Sequence, residues 1–255
     1  MTSLESIWSE SASKRKGRMF NIFSWRDRSI ARGLRGLRGA NILDVGCGGG
    51  RKLLTRYGKV TGVDISKPLL KQAARIYDSV WYLSAEDIPF HNLYDAVVSV
   101  DVLGHIPPEK KEQAFERMAD ALKPGCVMLH LTENFSTNKM WTIAQKDPES
   151  FQKHFVDAPG HVGLEPYRNT IARFERCGMR LDRMWRFNGR MEWVGHYAAY
   201  NVNHWRRTVD QWLAPVALPI NLMLGPMWWL DMKMSPASYS SLNAMLFRNE
   251  RTRNQ

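Results

Sequence analysis

A glycine-rich turn is the most distinctive group of residues in the sequence. Gly46, Gly48 and Gly50 occupy alternate positions directly after an apolar run that contains Asp44. Because glycine has no Cβ and adopts positive φ readily, such a turn lets the backbone contact a ligand. The dinucleotide pattern Gly-x-Gly-x-x-Gly fails because its third glycine would fall on Arg51, and the Gly-Lys-Ser/Thr of a phosphate-binding P-loop is absent from the sequence. The turn therefore predicts a ligand-binding site, but one that matches neither the dinucleotide pattern nor the P-loop.

Four further side chains could take or give a proton. His105 and Glu133 follow the fourth and fifth apolar runs, whereas His154 and His161 lie further along the chain. Parallel-sheet proteins carry ligand-facing groups at the carboxyl ends of strands, so His105 is the first candidate for a general base and Glu133 is another. A histidine in this position could equally cap the next turn through a backbone hydrogen bond. The histidines show no His-x-x-x-His or His-Glu-x-x-His spacing, so we expect no metal site.

Strand and helix patterns that alternate along the chain must position these residues. Apolar runs predict strands at 41–45, 59–63, 80–83, 94–100 and 126–131. Helical patterns are found at 66–76 and 109–122, the latter followed by a turn at 123–125, and a further helix is predicted to begin near Arg51. Such alternation predicts an α/β fold with a parallel sheet covered on both faces.

The pattern is less regular after residue 134. A helix with Tyr167, Ile171 and Phe174 on one face is predicted from Pro166 to just before Gly178. Two final strands are predicted at 181–187 and 242–247, and two inserts, at 135–164 and at 188–238, are predicted to form a lid or acceptor-binding region.

The N-terminal segment differs in composition from the rest of the chain. Residues 1–39 are predicted as a basic and aromatic cap whose end, 32–39, is a Gly-, Leu- and Arg-rich linker, and residues 40–255 as the catalytic domain. Residues 1–40 carry a net charge of +6, residues 41–165 of −2 and residues 166–255 of +7, as counted along the sequence. Basic flanks suit contact with an anionic surface, or they only aid solubility.

Composition bounds the class of protein. The chain has 255 residues, 44% of them hydrophobic and 24% charged, which excludes a disordered, collagen-like or coiled-coil protein. Its three cysteines are far apart, so we expect no disulfide and a reducing compartment. The first 40 residues lack the continuous apolar stretch of a signal segment, which makes cytoplasmic localisation the expectation.

The order of the motifs resembles that of the class I S-adenosylmethionine-dependent methyltransferases. The matching segments are Asp-x-Gly-x-Gly-x-Gly at 44–50, Asp64 after the second run, 84–90, 94–107 and Leu-Lys-Pro-Gly at 122–125. The resemblance covers residues 36–134. It implies a Rossmann-like, doubly wound, mostly parallel seven-stranded sheet with helices on both faces, a C-terminal aromatic-rich insert, and S-adenosyl-L-methionine as cofactor.

The resemblance also implies the residues that bind this cofactor. Asp64 corresponds to the acidic residue that accepts both ribose hydroxyls, and a carboxylate suits a vicinal diol. Ser84 stands where the family often has an acidic residue for the adenine amino group, so Glu86 or Asp87 could replace it, or backbone and apolar groups could hold the ring. The cofactor-binding residues expected on this basis are Asp44, Gly46, Gly48, Gly50, Asp64, Ile65, Ala85, Glu86 and Asp101.

The expected acceptor is an apolar or amphipathic small molecule, or a lipid-linked one, methylated on oxygen. Residues 212–230 contain no charged side chain, but Pro215, Pro219 and Pro226 would break a membrane-spanning helix. The segment is instead expected to cover the active site, to lie at a membrane interface, or to form core or a homodimer contact. A base is needed only for an acceptor that keeps its proton at neutral pH, such as a hydroxyl.

Two other functions stay open from the residues. The basic flanks would suit a nucleic-acid methyltransferase, but the Asn/Asp-Pro-Pro-aromatic sequence of enzymes that methylate amino groups of nucleic acids is absent after the fourth run. A non-catalytic scaffold that binds the cofactor is the other alternative. The acidic residue at position 64 disfavours it, because a purely structural domain does not need a carboxylate there.

Overall fold

The computed structural model describes residues 25–133, 146–152, 160–187, 230, 234 and 242–251. Most of the two predicted inserts, the first 24 residues and His154 lie outside this described part, and so does the apolar segment 212–229. No helix in the described ranges is both long and apolar enough to cross a membrane.

The described strands form one seven-stranded sheet. Its order is β3-β2-β1-β4-β5-β7-β6, and only β7 runs antiparallel to its neighbours. The strands are β1 (Ala40–Val45), β2 (Gly58–Asp64), β3 (Ser79–Tyr82), β4 (Tyr94–Val100), β5 (Leu122–Glu133), β6 (Met179–Phe187) and β7 (Leu242–Asn249). All seven predicted strands are confirmed, and so is the predicted doubly wound, Rossmann-like α/β fold. The direction of winding reverses between β1 and β4, the point at which ligands bind in such sheets.

Five α-helices are described, with 3-10 turns between several of the elements. The α-helices are α1 (Trp25–Gly33), α2 (Lys67–Ala73), α3 (Lys111–Ala121), α4 (Pro148–Phe151) and α5 (Tyr167–Arg176). The 3-10 turns are Leu54–Arg56, Ala85–Asp87, Leu103–His105 and Pro108–Lys110. The predicted limits of α5 are confirmed, because Pro166 precedes it and Gly178, at φ +78°, ends it.

Apolar side chains cover both faces of the sheet because alternate strand residues point to opposite sides. Leu43 and Val45 of β1 pack on one face with Phe115 of α3 and Phe174 of α5, whose rings stack with centroids 4.3 Å apart. On the other face, Ile42 belongs to a cluster that includes Ile30 of α1, Leu70 of α2 and Leu129 of β5. Parallel strands buried on both faces account for the nearly continuous apolar runs in the sequence.

One sequence-based prediction is wrong. No α-helix begins near Arg51; a single 3-10 turn, Leu54–Arg56, is found instead. The glycine turn occupies 46–50, so only residues 51–57 remain to return the chain to the start of β2, too few for a helix and its connections. The supposed linker at 32–39 also has a packing role, because its first two residues end α1 and Leu34 is fully buried. The predicted division at residues 39 and 40 stays a prediction.

Candidate functional site

The glycine turn follows β1 at the carboxyl edge of the sheet. Gly46, Gly48 and Gly50 all have positive φ, at +64°, +55° and +84°. A Cβ on Gly46 would lie 2.3 Å from a methyl group of Val102, whereas a Cβ on Gly48 would meet no atom within 4 Å. Gly46 is thus required for close packing against the segment after β4. Gly48 leaves the backbone uncovered on one side, as a ligand-binding turn requires.

Asp64 joins the glycine turn to the end of β2. One carboxylate oxygen accepts the amide hydrogen of Gly48 at 2.8 Å, and the other accepts that of Ser66, also at 2.8 Å. Burial raises the pKa of Asp64, although these backbone donors act in the opposite direction. Because each carboxylate oxygen has two acceptor positions, both can still accept a hydrogen bond from a diol. The side chain therefore fits the predicted contact with ribose.

Asp44 lies beneath the same turn and is almost fully buried. The hydroxyl of Tyr77 donates to its carboxylate at 2.6 Å and accepts the amide hydrogen of Arg51 at 2.6 Å. Burial raises the pKa of Asp44 to about 6, against the opposing effects of the Arg51 charge and the Tyr77 hydrogen bond. Tyr77 was missed from the sequence, where an aromatic residue just before a strand gives no signal of such a role.

The segment expected to hold the adenine lies after β3. Ile65 and Ala85 are both half-buried and so can contact a ligand. Glu86 is largely buried, and its carboxylate forms an ion pair with Lys110 at 2.6 Å. This pair ties Glu86 to the turn before α3, so Ala85 and Ile65 are the better candidates for contact with the ring. The role of Glu86 stays a prediction.

Asp101 follows β4 in a strained conformation, with φ at +58°. One of its carboxylate oxygens pairs with the guanidinium of Arg26 in α1 at 2.7 Å. The other is buried and has no hydrogen-bond partner among the described residues. Because buried polar atoms nearly always have a partner, this oxygen marks a place where a ligand could donate a hydrogen bond. Arg26 was missed because basic residues are frequent throughout the N-terminal segment.

His105, His161 and Glu133 lie together at the same edge of the sheet. Nδ1 of His105 lies 2.9 Å from the carbonyl oxygen of Gly160, which only accepts, so Nδ1 carries a hydrogen. The rings of His105 and His161 have centroids 4.7 Å apart, and Nε2 of His161 contacts the Glu133 carboxylate. The contact at Nδ1 agrees with both interpretations of His105, a turn cap and a general base, because a neutral ring that carries its hydrogen on Nδ1 has its acceptor atom at Nε2.

The electrostatics of this group favour a neutral His105 beside an ionised Glu133. Burial, together with the charge of His161, lowers the pKa of His105. Burial would raise the pKa of Glu133, but the hydrogen bond from His161 and nearby positive charges outweigh it and lower the pKa. His130 is a poor candidate for a base, because it is fully buried among aromatic rings and burial lowers its pKa to about 3. Within the described ranges, no group of three His, Cys, Asp or Glu side chains could hold a metal ion.

Comparison with known sequences finds similarity to methyltransferases over part of the chain. Residues 42–125 match a family model described as a methyltransferase domain. A ubiquinone biosynthesis O-methyltransferase of Alkalilimnicola ehrlichii is 35% identical over 120 residues, which are 41% of this chain and 46% of that protein. The O-methyltransferase resE of Aspergillus sclerotiorum is 28% identical over 111 residues, 38% of this chain and 41% of that protein. The matched segments thus span less than half the length of these relatives.

Solved structures agree in fold over most of the chain. The Haemonchus contortus phosphoethanolamine N-methyltransferase 2 bound to S-adenosyl-L-methionine matches with a TM-score of 0.61 and 18% identity, over 96% of this chain and 57% of that one. The cyclopropane synthase MmaA2 from Mycobacterium tuberculosis matches with a TM-score of 0.60 and 20% identity, over 92% of this chain and 87% of that one. With the sheet order and the glycine turn after β1, these matches show the fold of the class I S-adenosylmethionine-dependent methyltransferases, and residues 42–125 carry the match to a methyltransferase domain.

Proposed function

We propose that the protein transfers a methyl group from S-adenosylmethionine to a hydroxyl group of an apolar or amphipathic small molecule. One arrangement carries the proposal: the uncovered glycine turn and Asp64 share an edge of the sheet with a half-buried histidine, His105, that a backbone carbonyl fixes. The glycine turn and Asp64 suit a nucleoside, and the histidine suits an acceptor whose hydroxyl must lose its proton. A scaffold that only binds a cofactor has no need of such a histidine.

The residues around the turn fit the cofactor. S-adenosylmethionine, when bound, supplies a methyl group activated by a positively charged sulfur. Asp64 would accept the ribose hydroxyls, and the open backbone at Gly48 would allow the nucleoside to approach. The unpaired oxygen of Asp101 would accept a hydrogen bond from it, and the buried charge of Asp44 would favour a cation nearby. Ile65 and Ala85 are the proposed adenine contacts.

His105 would act as the general base. Its Nδ1 is held by the Gly160 carbonyl, so Nε2 is the atom that would take the proton from the acceptor hydroxyl. The lowered pKa keeps the ring neutral at pH 7 and therefore able to accept. The resulting imidazolium would lie close to the Glu133 carboxylate, whose charge favours the protonated form of His105. Glu133 is thus proposed to stabilise the charged ring, with His161 between the two.

The names of the sequence relatives support oxygen as the methylated atom. The two relatives described above are both called O-methyltransferases, one of them of ubiquinone biosynthesis. The similarity to these relatives covers only the part of this chain that contains the candidate cofactor site. The identity of the acceptor is therefore our proposal. An amphipathic acceptor also agrees with the apolar insert predicted from the sequence. The proposal also includes peripheral contact with a membrane, which co-sedimentation with vesicles tests. It further includes a homodimer, which analytical ultracentrifugation tests.

A transfer assay with matched acceptors tests this proposal. The acceptors are a catechol with a long alkyl tail, the same catechol without the tail, and an aniline with the tail, each incubated with methyl-labelled S-adenosylmethionine. We expect transfer to the tailed catechol. Replacement of the base, His105→Ala, should lower kcat by about 10²- to 10⁴-fold, whereas the same change at the exposed His91 should leave it unaltered.

The pH profile adds a second readout. Wild-type kcat should fall as pH decreases through the pKa of His105, and this inflection should be absent from the variant. Full activity of His105→Ala would remove the proposed base. Transfer to the aniline alone, or to neither catechol, would contradict the proposed acceptor class.

A further inference from the structure

A cavity of about 680 Å³ lies at the amino-terminal edge of the sheet. Residues 35–39, which lead into β1, and residues 55–58, which lead into β2, form most of its walls. The glycine turn follows the opposite end of β1. A six-residue strand spans about 20 Å, so the cavity is separate from the candidate active site. Its volume falls within the range of small-molecule sites, which is roughly 300–1,000 Å³.

A short repeat in the sequence builds one wall of this cavity. Leu-Arg-Gly occurs twice in succession at 34–39, the run that the sequence suggested to be a linker. Leu34 is fully buried, whereas Arg35 and Arg38 are exposed and line the cavity. The two glycines have positive φ, +93° at Gly36 and +62° at Gly39, and a Cβ on either would meet no atom within 4 Å. The repeat thus turns the leucine inward and presents two guanidinium groups on an open stretch of backbone.

The charge of the cavity is uncompensated. Arg56, from the segment that leads into β2, is the third arginine among the lining residues, and none of the lining residues is Asp or Glu. Within the described part of the chain, Arg35, Arg38 and Arg56 form no ion pair. Five described arginines of the C-terminal half, in contrast, pair with carboxylates: Arg173, Arg176, Arg180, Arg248 and Arg251.

We propose that this cavity binds a phosphate-bearing anion. The planar guanidinium fork matches two oxygens of a phosphate group, and Arg is the residue most suited to this recognition. Three unpaired guanidiniums around one cavity repel each other, so a multiply charged anion is favoured over a single carboxylate. The phosphate could belong to a free phosphorylated molecule or to the headgroup of an anionic lipid, and the chemistry of recognition is the same.

Binding of simple phosphate probes to the full chain tests the proposal. Calorimetry at about 0.15 M salt, where long-range charge effects are screened within about 8 Å, measures affinity for pyrophosphate. Co-sedimentation measures binding to vesicles of phosphatidylglycerol against vesicles of phosphatidylcholine. The test variant is Arg35→Gln/Arg38→Gln/Arg56→Gln. The control, Arg75→Gln/Arg183→Gln/Lys146→Gln, removes the same charge from exposed positions elsewhere.

The test variant should bind at least one of the two probes about tenfold more weakly than wild type, since a charged hydrogen bond is worth that much or more. The control should match wild type, and S-adenosylmethionine binding should be the same in all three proteins. Loss with pyrophosphate identifies a free ligand, and loss confined to phosphatidylglycerol vesicles identifies a lipid headgroup. Equal losses in both variants, or retention of a single-stranded oligonucleotide without binding of either probe, would overturn the proposal.

Discussion

Single residues of the candidate site differ in how far the sequence could predict them. Asp64 and His105 could be predicted as candidates because their proposed roles depend on local signals, namely a short motif and a position directly after a strand. Tyr77 and Arg26 were missed because their partners lie 33 and 75 residues away in the chain. Folding alone brings such pairs together. Asp101 was predicted as a cofactor-binding residue, but its unpaired carboxylate oxygen, the clearest sign of a ligand, is revealed only by the structure.

The buried carboxylate of Asp44 should lower the stability of the folded protein at neutral pH and strengthen the binding of S-adenosylmethionine. The pKa of Asp44 is about 6 in the folded protein, against an ordinary value of 3.8, so the folded state binds more protons than the unfolded state between these pH values. By linkage, the contribution of Asp44 to stability is present below pH 3.8 and is lost as pH rises through about 6. Asp44→Asn should therefore raise the free energy of unfolding at pH 7.5 by about 1–3 kcal/mol, with a smaller gain at pH 4.5.

The same variant should bind S-adenosylmethionine more weakly, because it lacks the buried negative charge. Urea unfolding at the two pH values and calorimetry measure the two effects. Asp147→Asn, at an exposed position, is the control and should change neither. A less stable Asp44→Asn variant at pH 7.5, or one with undiminished cofactor affinity, would contradict this role for the carboxylate.

At the scale of elements, the strands were easier to predict than the connections. Strands buried on both faces are continuous apolar runs, so their composition identifies them. The helix expected after the glycine turn failed because helix formation depends on the length of chain available before β2 as well as on local residue types. The packing of α1 on β5 was equally hidden: a Cβ on Gly33 would lie 2.8 Å from the Leu129 side chain.

The junction of the glycine turn with the segment after β4 permits a quantitative test. Gly46→Ala should destabilise the protein in two ways, through the positive φ, which costs a residue with a Cβ about 1–2 kcal/mol, and through the overlap with Val102. In the Val102→Ala background the two overlapping methyl groups are absent and the nearest remaining atom is the Cβ of residue 102 at 3.2 Å, so the same substitution should cost little more than the first amount. Urea unfolding of wild type, both single variants and the double variant forms the cycle. Strict additivity would show that Val102 does not limit the space at Gly46.

At the scale of the whole molecule, the two edges of the sheet have different chemistry. The carboxyl edge holds the turn, three aspartates and the histidine pair, whereas the amino edge holds the arginine-lined cavity. The resemblance in motif order was sufficient to predict the fold and the candidate site residues at the carboxyl edge. The cavity at the amino edge was not predicted, because a repeated Leu-Arg-Gly is ordinary for a linker until the structure brings Arg56 into the lining of the same cavity. The basic N-terminal flank thus contributes to the proposed phosphate-binding cavity.

The central claim is that the glycine turn and Asp64 bind the nucleoside of S-adenosylmethionine. The most direct measurement is a calorimetric cycle with S-adenosylhomocysteine and its 2′-deoxy analogue on wild type and Asp64→Asn, with circular dichroism to verify the fold. We predict that Asp64→Asn lowers the affinity for S-adenosylhomocysteine about tenfold or more, as expected for the loss of charged hydrogen bonds. The affinity for the 2′-deoxy analogue should fall clearly less. No binding to wild type, or an equal loss for both ligands, would contradict the account.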